Sequence, residues 1–145
     1  MDENSLAASK NELRAAIREN RAKRSDTLGA QLAVALSTIT EQLRPKAIAG
    51  YLSFAPEPDT LRFLGLVIEQ GIRVLLPVVA SAEDLRWVEW DGLSVKPGAM
   101  GFLEADGPAA NLREADLVIV PALAVDAQGN RLGKGKGFYD RALKD

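Results

Sequence analysis

Hydrophobic and polar positions along the chain follow a helical period in some segments and form short apolar runs in others. Residues 5–23 lack Gly and Pro and are rich in Ala, Leu, Glu, Arg and Lys, a composition that predicts a first helix. A second helix is predicted with Asp26 as its N-cap and Pro45 as its end. Its apolar stripe with a helical period consists of Leu28, Leu32, Leu36, Ile39 and Leu43.

Apolar runs bounded by Gly, Pro or polar residues predict the strands. These runs lie at residues 47–54, 72–79 and 116–121, and residues 85–90 alternate as a further strand. A helix is predicted at 60–70, closed by Gly71. The alternation predicts an α/β fold, an open and mostly parallel sheet flanked by helices in a three-layer, Rossmann-like arrangement. A length of 145 residues predicts a single domain.

Two predicted loops carry candidate site residues. Glu57 follows the first strand, and ligands of open α/β sheets bind beyond the carboxyl ends of the strands, although a loop glutamate is commonly just solvated. Residues 95–108 contain several Gly and Pro and predict a long, irregular loop. Long loops are often functional, so we expect some of its residues to line a site: Met100, Gly101, Phe102 and Glu104.

The composition limits the kinds of catalytic and binding site that the chain can form. The chain has no Cys and no His, which excludes disulfides, thiolate nucleophiles, imidazole bases and metal sites built from those ligands. Its net charge of -2 disfavours nucleic-acid binding, so anions must be bound by local Lys and Arg residues. No apolar run reaches the roughly 18 residues that span a bilayer, and no signal peptide is evident, so we expect a cytoplasmic protein without a membrane partner.

Basic residues lie along one side of the first helix. Lys10, Arg14, Arg18 and Arg21 recur at steps of four, four and three residues. Such a face is either solvated or binds an anion, and the spacing alone does not separate the two interpretations.

Glycine and lysine alternate in the segment NRLGKGKGFYDR, residues 130–141. Glycines at 133, 135 and 137 let backbone amides approach an anion, and the two intervening lysines neutralise its charge. A helix beginning at Phe138 adds free amides. The pattern differs from the P-loop and from the dinucleotide-binding fingerprint, and the alternative interpretation is a glycine-rich surface loop.

Asp140 follows this segment directly. A carboxylate next to a phosphate site is a suitable ligand for Mg²⁺, which prefers hard oxygen donors. An aspartate in the first turn of a helix is also commonly a partner of the helix dipole. Both interpretations remain open on the residues alone.

Residues 121–143, PALAVDAQGNRLGKGKGFYDRAL, resemble the motif of the 5-formyltetrahydrofolate cyclo-ligases, also called 5,10-methenyltetrahydrofolate synthetases. KNELR at 10–14, YLSFAPEPDT at 51–60, and VLLPVV followed by LRWVEW agree in order and spacing. The resemblance covers nearly the whole chain. It implies an ATP-dependent ligase that cyclises 5-formyltetrahydrofolate to 5,10-methenyltetrahydrofolate and releases ADP and phosphate.

The resemblance also implies roles for particular residues. ATP binding is assigned to Lys10, Arg14, Arg131, Leu132, Gly133, Lys134, Gly135, Lys136, Gly137, Phe138 and Tyr139. Contacts with the folate are assigned to Leu52, Glu57, Lys134, Gly135, Lys136, Gly137 and Phe138. Mg²⁺ is assigned to Asp140. The two substrates are thus expected to meet at one loop.

The sequence departs from the family pattern at two points. Ala105 follows Glu104 where the family often has Pro, a change expected to loosen the loop. The family normally continues for several tens of residues with further sheet structure and another acidic residue at the metal. We therefore expect one cyclo-ligase-like domain over residues 1–145 that lacks this C-terminal segment, and a monomer or weak homo-oligomer.

Two other functions compete with catalysis. The chain is alternatively a non-catalytic remnant that binds a nucleotide or folate, in which case it shows binding without turnover. It is alternatively a phosphosugar-binding protein or isomerase of similar architecture, in which case it binds phosphosugars without ATP.

Overall fold

A computed structural model describes residues 2–24 and 27–144 of the chain. The described residues form two compact units, one of residues 2–24 and 121–137 and the other of residues 27–120 and 138–144. The single domain stays a prediction. The N-cap predicted at Asp26 lies outside the described residues.

Helices are found wherever the sequence predicts them. They are α1 (Glu3–Ala22), α2 (Thr27–Leu43), α3 (Leu61–Glu69) and α4 (Phe138–Ala142). The strands are β1 (Ala47–Ala49), β2 (Arg73–Val79), β3 (Leu85–Trp90), β4 (Val95–Pro97), β5 (Leu103–Ala105), β6 (Ala109–Ala110), β7 (Leu117–Val118), β8 (Ala124–Val125) and β9 (Arg131–Leu132). Among the described residues, each helix is too short or too polar to span a lipid bilayer.

The first unit contains α1. This helix begins after Asp2, whose carboxylate accepts a hydrogen bond of 2.7 Å from the backbone N–H of Ser5. The bond satisfies one of the amides that a helix leaves unpaired at its N-terminus. None of the helix's side chains is fully buried, and Leu6 and Leu13 are about half exposed.

The same unit contains the hairpin of β8 and β9, in which Ala124 lies opposite Leu132. Asp126 organises the turn, because its carboxylate accepts hydrogen bonds from the backbone N–H of Asn130 at 2.8 Å and from the Asn130 side chain at 2.8 Å. The side-chain bond is the main cause of a pKa for Asp126 below its usual value. The carboxylate is therefore ionised at neutral pH, and the turn that precedes the glycine-rich segment is fixed.

The second unit is built on a five-stranded sheet with the order β6-β3-β2-β1-β7. β1 runs parallel to both of its neighbours, with Ile48 opposite Val74 and Leu117. β3 is antiparallel to β2 because residues 80–84 are too short for a crossover, and β6 is antiparallel to β3. The predicted α/β fold with a parallel centre is confirmed, and the antiparallel strands extend one side of that centre.

Both faces of this sheet are covered. Leu76 is fully buried on one face in a cluster with Phe63 of α3. The neighbouring Leu75 is buried on the other face with Trp87, and Tyr139 of α4 packs there. Successive strand side chains point to opposite faces, so helical residues pack on both, as a three-layer arrangement requires.

The first predicted strand is shorter than expected. β1 ends at Ala49, although Gly50 still donates a backbone hydrogen bond of 2.9 Å to Leu75. Beyond it, the buried hydroxyl of Thr60 donates to the Tyr51 carbonyl at 2.6 Å and accepts from the Ser53 backbone N–H at 3.2 Å. A side chain therefore replaces the neighbouring strand as the backbone's partner, and the chain turns out of the sheet.

The loop predicted over residues 95–108 is partly regular. β4 and β5 form an antiparallel ribbon in which Lys96 lies opposite Glu104. Glu104 is not an exposed loop residue, since its carboxylate accepts a hydrogen bond of 2.6 Å from the Val79 backbone N–H at the end of β2. A Cβ on Gly98 would overlap the Glu104 side chain, so a larger residue there would have to displace that carboxylate. The prediction of an irregular loop was wrong for these residues.

Candidate active site

The glycine-rich segment, residues 133–137, follows β9 in the first unit. Gly135 and Gly137 have φ angles of 105° and 71°, in the region that side chains other than glycine rarely adopt. A Cβ on Gly135 would lie 3.5 Å from the guanidinium carbon of Arg14. The segment is thus a tightly curved backbone lying against Arg14 of α1.

Arg14 connects α1 to this segment. Its Nε donates a hydrogen bond of 2.9 Å to the Gly133 carbonyl, and its Nη1 donates one of 2.8 Å to the side chain of Asn11. Among the described residues, Nη2 of this guanidinium has no hydrogen-bond partner. The group is therefore oriented by two contacts and retains donors for an anion.

The other basic residues of α1 divide into two kinds. Arg21 is half-buried and donates to the carbonyls of Ala122 and Leu123, so it binds the protein's own backbone. Lys10 and Arg18 are exposed. The interpretation of this face as merely solvated is wrong for Arg14 and Arg21, because both bind residues more than 100 positions away in the sequence.

Lys134 and Lys136 of the glycine-rich segment are exposed. Leu132 lies before the segment, in β9. Arg131 points back along the hairpin, where its Nη1 donates a hydrogen bond of 2.9 Å to the Pro121 carbonyl. A Cβ on Gly133 would lie 2.9 Å from that same Nη1. The guanidinium of Arg131 thus occupies the space that a larger residue at 133 would need.

The predicted folate residues of the second unit lie on the turn after β1. Leu52 is half-buried and packs against the core cluster that contains Phe63. Glu57 accepts a hydrogen bond of 3.1 Å from the Phe54 backbone N–H, and its own N–H donates to the Phe54 carbonyl at 3.0 Å. The carboxylate is therefore positioned by its own loop rather than left to move freely in solvent.

An aromatic pair lies in the same unit and was not expected as a pair. The rings of Phe54 and Phe102 are stacked with centroids 4.8 Å apart and an interplanar angle of 3°, although both side chains are about half exposed. Phe102 was expected to line a site, but no sequence signal indicated Phe54 as its partner. Only the fold brings the turn after β1 next to the β4–β5 ribbon.

Helix α4 carries the last candidates. Tyr139 packs edge-on against Trp87 with ring centroids 6.3 Å apart, which fixes the helix to the sheet. Arg141 lies 5.6 Å from the ring centroid of Phe138 and donates to the Glu83 carbonyl at 2.7 Å. Asp140 is exposed in the first turn. Across residues 2–24 and 27–144, no three acidic side chains cluster as a ready-made metal site.

The predicted residues therefore fall into two groups. The first unit brings Arg14 to the glycine-rich segment, with Lys134 and Lys136 on that segment. The second unit contains Leu52, Glu57 and Asp140.

Comparison with known proteins identifies the family. The model of the 5-formyltetrahydrofolate cyclo-ligase family matches residues 6–145. The chain belongs to this family. The resemblance inferred from the glycine-rich motif and the three upstream segments is thereby confirmed.

Relatives within the family are similar over most of the chain. A 5-formyltetrahydrofolate cyclo-ligase of Mycolicibacterium smegmatis is 34% identical, covering 93% of this chain and 75% of the relative. The corresponding protein of Escherichia coli is 32% identical, covering 81% of this chain and 68% of the relative.

Solved structures agree with the fold. The NMR structure of an Aquifex aeolicus 5,10-methenyltetrahydrofolate synthetase has a TM-score of 0.79 and 30% identity, covering 93% of this chain and 72% of that one. A 5,10-methenyltetrahydrofolate synthetase from Mycoplasma pneumoniae has a TM-score of 0.74 and 23% identity, covering 94% and 77% of the two chains. The second likeness concerns the fold alone.

Proposed function

We propose that this chain catalyses the ATP-dependent cyclisation of 5-formyltetrahydrofolate to 5,10-methenyltetrahydrofolate, with release of ADP and phosphate. Membership of the cyclo-ligase family is the observation that carries this proposal. The chain's own chemistry agrees with it. A protein without His or Cys is suited to phosphoryl transfer, which depends on positioning and on stabilising charge rather than on a protein nucleophile.

The reaction proceeds in two displacements. The formyl oxygen attacks the γ-phosphorus of ATP, the bond from that phosphorus to the bridging oxygen breaks, and ADP leaves with its electron pair. N10 of the folate then attacks the activated formyl carbon and loses its proton, while the carbon–oxygen bond breaks and inorganic phosphate leaves. Both steps need cationic and N–H groups around the phosphate oxygens.

ATP binding is proposed at the glycine-rich segment and the basic face of α1. Arg14 is oriented by Gly133 and Asn11 and retains donors for a phosphate. Lys134 and Lys136 add two positive charges on an exposed, curved backbone. Together with Lys10, these groups match a triphosphate in sign and in donor type. The proposed nucleotide residues also include Arg131, Leu132, Gly133, Gly135, Gly137, Phe138 and Tyr139.

The folate is proposed to contact Leu52 and Glu57, together with residues 134–138. Glu57 is held by the Phe54 backbone, and a carboxylate with two oxygens accepts further hydrogen bonds from N–H donors. Leu52, on the same turn after β1, is half-buried and provides apolar side-chain surface.

Mg²⁺ is proposed to bind at Asp140. An exposed carboxylate is a hard oxygen ligand, and Mg²⁺ is commonly held by one or two carboxylates together with nucleotide phosphates and water. The ion, when bound, neutralises charge on the phosphate oxygens. The cytoplasmic location, the absence of nucleic-acid and membrane partners, and the monomeric or weakly associated state stay predictions from the sequence.

The proposal is tested by steady-state turnover of this chain. Incubation with 5-formyltetrahydrofolate, ATP and Mg²⁺ is expected to produce the methenyl chromophore together with one ADP per turnover, and omission of ATP to abolish it. Binding of both substrates with no chromophore would instead identify a non-catalytic binding protein.

A further inference from the structure

Arg21 is the last basic residue of α1, and it makes the shortest hydrogen bond of any basic side chain on that helix. Its Nη2 donates hydrogen bonds of 2.6 Å and 2.9 Å to the carbonyls of Ala122 and Leu123. One nitrogen reaches two consecutive carbonyls because the chain bends at Leu123, immediately before β8. Both N–H bonds of Nη2 are thereby committed to the backbone.

The carbonyls that Arg21 holds lie immediately before β8, and the partner strand β9 leads into the glycine-rich segment. Leu123 donates its backbone N–H to the Leu132 carbonyl at 2.8 Å, so the bend at 123 fixes the end of β9. Gly133 follows directly, and its carbonyl accepts from Arg14. Arg14 and Arg21 are seven residues apart on α1, about two helical turns and roughly 10 Å along the axis. The two arginines therefore hold the backbone on both sides of the hairpin, just before β8 and just after β9.

We infer that Arg21 is a positioning residue for ATP binding, which acts by holding the β8–β9 hairpin so that the glycine-rich segment is ordered before the nucleotide arrives. This inference rests on the proposed function. A segment that is already ordered loses less conformational entropy on binding, so the nucleotide binds more tightly. Arg21 itself does not touch the nucleotide.

The matched variants are Arg21→Met, Arg21→Lys and Arg24→Met. Met keeps an unbranched apolar side chain but removes the donors, whereas Lys keeps a charged donor that can reach a carbonyl. Arg24 is exposed near the same end of α1, so Arg24→Met removes the same charge without removing the contacts to residues 122 and 123.

The experiment combines backbone amide NMR of the protein without nucleotide with steady-state kinetics. Arg21→Met is expected to shift the amide resonances of Gly133 and Gly135 and to raise KM for ATP about tenfold, with kcat changed less than twofold. Arg21→Lys is expected to recover most of the affinity, and Arg24→Met to match the parent in both measurements.

The inference is overturned if Arg21→Met leaves the Gly133 and Gly135 resonances and KM for ATP unchanged, or if Arg24→Met raises KM equally. If Arg21→Met fails to fold, Arg21→Lys tests the inference instead. Its Gly133 and Gly135 resonances must then lie close to those of the parent, and its KM for ATP must stay within about threefold of the parent value. If the parent protein binds no ATP, the proposed function is refuted instead. The resonances measured without nucleotide would still show whether Arg21 orders the glycine-rich segment.

Discussion

Arg14 and Gly133 are joined by a hydrogen bond of 2.9 Å from Nε to the carbonyl oxygen, although 119 residues separate them in the sequence. The contact fixes the position of the Arg14 side chain of α1 relative to the glycine-rich segment. Gly135 is part of the same arrangement, since a side chain there would begin 3.5 Å from the guanidinium. The proposed ATP site in this unit is thus an arginine presented by a helix to a curved backbone.

Replacing Arg14 by Lys tests whether ATP binding needs the several N–H donors of a planar guanidinium group. An ammonium group can hold either the Gly133 carbonyl or a phosphate, but it lacks the planar geometry to serve both. We expect KM for ATP to rise about tenfold, equivalent to about 1.4 kcal/mol, and KM for the folate to change little. Arg24→Lys is the control, and an unchanged KM for ATP in Arg14→Lys would remove this residue from the site.

Substituting Gly135 by Ala tests the curvature of the segment. The φ angle of 105° is strained for any residue with a Cβ, at a cost of about 1–3 kcal/mol. Gly129→Ala is a close control because Gly129 has a φ of 85° in the hairpin turn and open space around it. Both variants are expected to lower the melting temperature by similar amounts, but only Gly135→Ala should weaken ATP binding in calorimetry. If Gly135→Ala binds ATP as tightly as Gly129→Ala does, the proposed site is contradicted.

Glu57→Gln separates the charge of this residue from its role in the loop. The amide oxygen can still accept from the Phe54 N–H, so the turn should persist, while hydrogen bonds from a ligand to the carboxylate become weaker. We expect KM for 5-formyltetrahydrofolate to increase about tenfold and KM for ATP to stay the same. Glu83→Gln, at an exposed position of the same unit, serves as control. A folate KM equal to that of the parent would disprove the assignment.

Asp140→Asn tests the metal assignment. The neutral amide is a weaker ligand for a hard cation, so turnover should fall at limiting Mg²⁺ and recover in part when Mg²⁺ is in excess. Asp106→Asn makes the same chemical change at an exposed carboxylate that pairs with Lys96 at 3.1 Å, and its Mg²⁺ titration should match the parent. Superimposable titrations of the Asp140 variant and the parent would show that the metal binds elsewhere.

Local elements could be predicted from the sequence, whereas their long-range partners could not. The helices follow from composition and from stops such as Pro45, and Gly71 indeed has a positive φ of 79° after α3. The early end of β1 depends on the hydroxyl of Thr60, which reaches back nine residues to the Tyr51 carbonyl. A hydrophobic pattern carries no information about such a competing hydrogen bond.

The β4–β5 ribbon was missed for a related reason. Its strands have three residues each, too few to show alternation, and the large apolar side chain of Leu103 is 62% exposed whereas the small Ala105 is buried, so the hydrophobic pattern does not mark them. The ribbon is stabilised instead by contacts between distant residues, including the bond from Val79 to Glu104. For the candidate site, the suitability of the glycine-rich segment for binding phosphate could be predicted from the sequence, but its contacts with Arg14 could not.

The most direct test of the ATP site is an NMR titration that follows the backbone amides of this protein as ATP and Mg²⁺ are added. If the triphosphate binds at residues 133–137, the amide resonances of Gly133, Gly135 and Gly137 will shift in a saturable manner, and AMP, which lacks the β- and γ-phosphates, will shift them much less. If those three resonances stay in place while amides elsewhere in the chain respond to ATP, the account of the glycine-rich segment as the nucleotide site is wrong.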